Sequence, residues 1–201
     1  MSDRFADLRK IPEQPAKRFL AAANAKLATP LTAPASAPVS AVMGELAGQG
    51  AFVDMLRLMS VALPARERTW WACLAARDVV GPDADPVPAT LATAEAWVFR
   101  PGEETRAAAY QAAEAADPDD ETVLCATAAV FADGTLGPGD LKEYPAPPGG
   151  GEAAAFGMNV MALEHLGLPI AEAADRLIDR ALDIARGGSG KPKPDTGKTE
   201  G

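Results

Sequence analysis

At 201 residues the chain can build one domain with a substantial core, but not two large ones. Its net charge is −9, and because both ends are basic the segment from Leu27 to Arg186 holds about −13. This excludes nucleic acid and anionic membrane as partners of the folded part and makes a basic protein surface the better match. Only 5% of residues are aromatic while alanine abounds, and no strand-like alternation is present. The fold class that follows is all-α: a single-domain bundle of about seven to eight short, Ala-rich helices.

Met1 to Pro15 is charged and broken by Pro12 and Pro15, so loose order is expected there. Ala16 to Leu27 can form a short helix with Phe19, Leu20 and Leu27 on one side. The following TPLTAPASAPVS repeats proline at 30, 34 and 38, which suits an extended tether. Residues 1–39 therefore read as a flexible, basic and Pro-rich segment ahead of a helical domain over 40–186. Ser40 is placed to cap a helix running to about Ala47, before the break at Gly48-Gln49-Gly50.

The stretch Phe52 to Val80 organises the rest, as two helical runs joined through Leu63-Pro64. In the first run Phe52, Met55, Leu56, Met59, Ala62 and Leu63 make one apolar face, with Asp54 and Arg57 opposite. Pro64 fits the first turn of the second run, where its missing N–H costs nothing. Trp70 and Trp71 point about 100° apart on one helix, so a single face cannot easily bury both. Either different neighbours cover both rings, which is the first reading, or Trp70 stays partly exposed as an anchor for a partner.

GPDADPVP over 81–88 punctuates the chain before a helix from about Ala89 to Phe99, with Leu91, Ala94, Trp97 and Val98 on one side. Pro101-Gly102-Glu103-Glu104 opens another helix to Ala116, its acids in the electropositive first turn. Asp117 is expected to cap a third helix starting at Pro118, with Leu124, Ala128 and Phe131 inward. Asp133 to Gly151 is a long non-helical insert. A helix from Glu152 to Leu166 and a final one from Ile170 to Arg186 complete the domain, and successive pairs could stack in a HEAT-like way. The last helix has Ile170, Ala173, Ala174, Leu177, Ile178, Ala181, Leu182 and Ala185 on one face, with charges including Glu172, Arg176, Asp179 and Arg180 on the other. GGSGKPKPDTGKTEG over 187–201 reads as a disordered tail, and both ends, 1–15 and 187–201, are expected to be dispensable for folding.

Catalytic groups are scarce. The one imidazole, His165, lies two residues before Gly167, a setting for a capping or surface histidine. None of the five serines sits in a G-x-S-x-G setting. The acids at Asp117, Asp119, Asp120 and Glu121 fail the calcium-loop template, because Thr122 stands at the glycine position and Ala128 at the bidentate glutamate position. Cys73 and Cys125 lie in apolar helical runs and read as two buried thiols with no second Cys or His nearby in sequence to build a zinc site. GTLGPGDLK and GSGKP lack the Gly-Lys-Ser/Thr that cradles phosphates. No cofactor or metal is expected, and the chain is not read as an enzyme. MSDRFADLRK has no apolar run before its charges, and no segment holds 18 uncharged apolar residues, so a cytoplasmic protein without membrane insertion is expected.

Within the long insert, LKEYPAPP can strap the helices beneath it, which is the first reading, or present Leu141, Tyr144, Pro145, Pro147 and Pro148 to a partner in P-x-x-P spacing. Three stretches, LMSVALPARERTWWACLAAR, AEAWVFRPGEETRAAAYQAAEAA and GTLGPGDLKEYPAPPGG, resemble a small all-helical proteobacterial family of unknown function, sometimes encoded beside type VI secretion genes. The resemblance covers about Phe52 to Arg186. It departs at Gly149, Gly150 and Gly151, where more prolines are expected, and it supplies no catalytic residues. What it implies is a non-enzymatic protein-interaction role, accessory or adaptor, linked to type VI secretion. The alternative is a helical protein that binds a small molecule or an acyl chain in a cavity between Ala-rich helices.

Overall fold

Prolines mark where the helices begin. A computed structural model describes residues 4–81 and 83–191, and five of its helices follow directly on a proline: α1 (Ala16–Ala22), α2 (Val39–Gly48), α4 (Ala65–Val80), α5 (Ala89–Phe99) and α9 (Ile170–Ala185). The remaining helices are α3 (Phe52–Ala62), α6 (Glu103–Glu114), α7 (Val123–Val130) and α8 (Gly150–His165). The proline carbonyl takes the first helical bond, as Pro64 O does from Arg68 N at 2.8 Å and Pro88 O from Ala92 N at 2.9 Å. A ring that lacks an N–H leaves one donor fewer to satisfy at that end. Pro38 rather than Ser40 therefore precedes α2, and Ser40 lies inside the helix.

The described residues hold helices and no strand, as the composition predicts. At the centre lies α4, with Thr69 and every residue from Trp71 to Ala76 buried and with α5, α7, α8 and α9 packed around it. Alanines at the contacts (Ala72, Ala75 and Ala76 on α4, Ala126 and Ala129 on α7, Ala155 and Ala162 on α8) let helix axes approach closely. Trp71 fills the middle, its indole N–H donating 2.9 Å to Leu177 O of α9. Because α8 and α9 return across α3 and α4, the helices close into a bundle rather than a HEAT-like row in which each pair meets only its neighbours. No described helix is long and apolar enough to cross a membrane.

Several local expectations change. Asp54 is buried rather than facing solvent: its carboxylate accepts Ala28 N at 3.1 Å and Thr29 N at 2.7 Å. With Glu45, which accepts Thr32 N and Ala33 N, it fastens the Pro-rich stretch onto α2 and α3, so that stretch is not a free tether. Nor is the N-terminal segment loose from Arg4 onward. Phe5 and Ile11 are buried, Lys10 N donates to Ala185 O at 2.8 Å, and Arg4 pairs with Asp175 and Asp179 on α9. Asp117 does not cap a helix. The chain turns through 117–122, where Asp120 accepts Thr122 N at 2.9 Å and Thr90 Oγ1 at 2.6 Å, and α7 begins only at Val123. On α9 the apolar stripe is buried as expected, except Ile170, which is 65% exposed at the helix start. Arg180, expected on the solvent face, is buried and bound to Asp78 of α4. The expected tail begins with ordered structure at 187–191; residues 1–3 and 192–201, to which the expectation of disordered ends also applies, lie outside the described residues.

Candidate functional site

The sequence offers few catalytic side chains, and His165 lies apart from the two thiols. His165 is partly exposed at the end of α8, its Nδ1 3.1 Å from Met161 O and its Nε2 3.7 Å from Glu121. Cys73 on α4 and Cys125 on α7 have no neighbouring Cys in sequence, and both are buried free thiols. The interaction with Cys125, and then burial, push the Cys73 thiol well above its ordinary value, which disfavours the nucleophilic thiolate. Among the described residues, no group of three or more His, Cys, Asp or Glu is placed to hold a metal.

The long insert is a folded loop. Its root is Arg106 of α6, a buried guanidinium that donates to Val130 O at 2.7 Å, to Asp133 and to Thr135 Oγ1 at 2.6 Å. From there the chain doubles back: Leu136 N donates to Tyr144 O and Ala146 N to Gly134 O, both at 2.9 Å, around an isolated bridge between Thr135 and Pro145. Leu141 is half-buried over Gly137 and Lys142 pairs with Glu103 at 2.7 Å. The Lys142 hydrogen bond holds the Glu103 carboxyl below its ordinary value. Covered and exposed residues thus divide within one loop. Its base covers α6, while Tyr144 is 57% exposed and Pro145, Pro147 and Pro148 stand in solvent beside it.

The tryptophan pair divides in the same way. Trp71 is wholly buried, whereas Trp70 is only partly covered and floors a surface groove of about 350 Å³. Phe99, at the end of α5, is 68% exposed with its ring centroid 5.5 Å from that of Trp70. The chain after α9 forms the opposite wall. Gly190 N donates to Asp183 Oδ2 at 2.8 Å, Ser189 O accepts the Trp70 indole N–H at 2.7 Å, and the Lys191 ammonium lies 5.5 Å from the Trp70 ring centroid. Lys10, Arg66, Glu67, Val98 and Ile184 also line it. None of the loop residues 134–149 lines this groove, so Trp70 and the Tyr144 loop are two separate surfaces.

Phe99, Arg66, Lys10 and Lys191 are groove residues that sequence reading misses. Phe99 had a signal: as an aromatic residue out of phase with the Leu91, Ala94 and Val98 stripe, it had to be exposed at the helix end. Lys10 and Lys191 had none, because each lies in a segment without helical periodicity and reaches the groove only through tertiary docking.

The chain belongs to DUF6931, a family of unknown function, whose model matches residues 42–185. That span runs from α2 to the end of α9 and includes Trp70, Phe99, Arg66 and the whole Tyr144 loop, but neither Lys10 nor Lys191. No curated protein and no solved structure matches the chain.

Proposed function

We propose that this member of a family without assigned chemistry is a non-enzymatic protein-interaction module, an accessory or adaptor in the cytoplasm, in the type VI secretion context that the sequence resemblance implies. The observation that carries the reading is the loop tip. Tyr144 is an exposed aromatic residue flanked by three exposed prolines, held on a frame that Arg106 and the Thr135–Pro145 bridge make rigid. An anchor already ordered before contact loses little entropy on binding, which is the condition for a few side chains to supply most of the affinity. A cavity for an acyl chain would need enclosed apolar space. The core side chains instead pack at or near zero exposure, and the described clefts lie along the surface.

The test is capture of partners from the native cell by the full chain. Tyr144→Ala combined with Pro147→Ala should lower capture by about 30-fold or more, the equivalent of losing an aromatic anchor worth roughly 2 kcal/mol. His165→Ala should behave as wild type. A folded His165→Ala protein that still captures its partner but loses all cellular activity would overturn the adaptor reading in favour of catalysis.

A further inference from the structure

The Trp70 groove carries a charge opposite to that of the protein around it. Three cations, Lys10, Arg66 and Lys191, and one acid, Glu67, line it, while the chain as a whole carries −9. Glu67 is held by Lys10 at 3.2 Å, and the nearby Asp183 carboxylate is turned to the Gly190 amide. Arg66 uses Nε to bind Val98 O at 2.6 Å, and among the described residues no bond engages its two η-nitrogens. A guanidinium fixed at Nε with both η-nitrogens free is preset to receive a carboxylate in fork geometry. The floor between these cations is aromatic, with Phe99 giving up the most surface.

We infer that this groove is the docking site for an acidic peptide segment of a partner protein, one that places an apolar side chain on Trp70 and Phe99 and its carboxylates on Arg66 and Lys191. This deepens the interaction-module reading and rests on it. Charge selects the occupant. A basic segment would meet Arg66 and Lys191 at short range, with Lys10 offset by Glu67, and there local repulsion outweighs the attraction of a diffuse negative surface screened beyond about 10 Å. A nucleic acid would match the groove but would meet the protein's net negative charge over most of its footprint. An acidic and apolar segment of a few residues fits within the positive area and the apolar floor together.

The purified full chain can be used to select binders from a displayed library of random dodecapeptides. The selected peptides should pair Asp or Glu with an adjacent Phe, Leu, Ile or Met. A synthetic copy of the strongest should bind with a change in tryptophan emission, since Trp70 is the partly exposed indole, and should weaken as salt rises. Phe99→Ala should lower its affinity about tenfold or more, as should Arg66→Gln with Lys191→Gln. Val53→Ala, at an exposed apolar site on α3, should leave it unchanged, and thermal melts should establish that every variant is folded. Selection of neutral or basic peptides, of none at all, or of acidic peptides indifferent to Phe99→Ala would overturn the inference. So would tighter binding of a single-stranded oligothymidylate to the same residues. These failures are distinct from failure of the module reading, which is decided by Tyr144-dependent capture in the native cell.

Discussion

Gly149 shows how much one backbone position can hold. It adopts φ +77°, and a Cβ there would lie 2.1 Å from the carbonyl oxygen of Ala23, just past α1. The next residue, Gly150, would put a Cβ 2.9 Å from the Phe131 ring. Glycines replace the expected prolines here because the loop must turn left-handed and then pass against two neighbours. Gly149→Ala should therefore destabilise the protein by more than the roughly 1 kcal/mol that left-handed backbone strain alone costs. Gly134→Ala, at φ +81° with nothing within 4 Å of its Cβ, isolates that strain. Urea denaturation of both compares them, and an equal loss at the two positions would show that the Ala23 contact contributes nothing.

For an element, the question is which face is buried. Leu177 lies in the middle of the α9 stripe at 0% exposure, and its carbonyl holds Trp71. Leu177→Asp puts an unpaired charge into that core and should cost about 4 kcal/mol or more. Asp179, two residues on, makes an exposed pair with Arg4 at 2.9 Å. Asp179→Ala should change stability by about 1 kcal/mol or less. Equilibrium unfolding measures both, and similar losses would refute the facial assignment. Arg180 marks the limit of that assignment by periodicity. It was expected among the solvent-facing charges, but it and Arg176 both reach Asp78, where α4 ends beside them.

Across the whole molecule, the N-terminal segment acts as a strap. Phe5 and Ile11 are buried, and burying two such side chains is worth roughly 3–6 kcal/mol together as an upper estimate. Arg186 adds hydrogen bonds to the carbonyls of Arg4 and Ala6. Deleting residues 1–15 should lower the melting midpoint by on the order of 10 °C for a chain of this size. The dispensability that low periodicity suggests predicts a shift of only a few degrees, and calorimetry separates the two. The same strap brings Lys10 to the Trp70 groove, so its loss should also weaken binding of an acidic peptide there.

The helices and most of their buried faces were legible in the sequence, because helical periodicity is a local property written every three or four residues. Leu91, Ala94, Trp97 and Val98 on α5 and the Leu177 stripe on α9 could be placed from spacing alone. The mixed nature of the proline loop was legible only as two alternatives. Its neighbours set only which residues are covered, burying Leu141 halfway and leaving Tyr144 out. Asp54 and Arg180 read as surface charges until tertiary packing supplied partners that make their burial affordable: two amides of the Pro-rich stretch for Asp54, and Asp78 for Arg180. The groove was beyond sequence reading for the same reason. Its cations come from positions 10, 66 and 191, and only the closure of the bundle, which sets the segments around Lys10 and Lys191 beside α4, makes them neighbours.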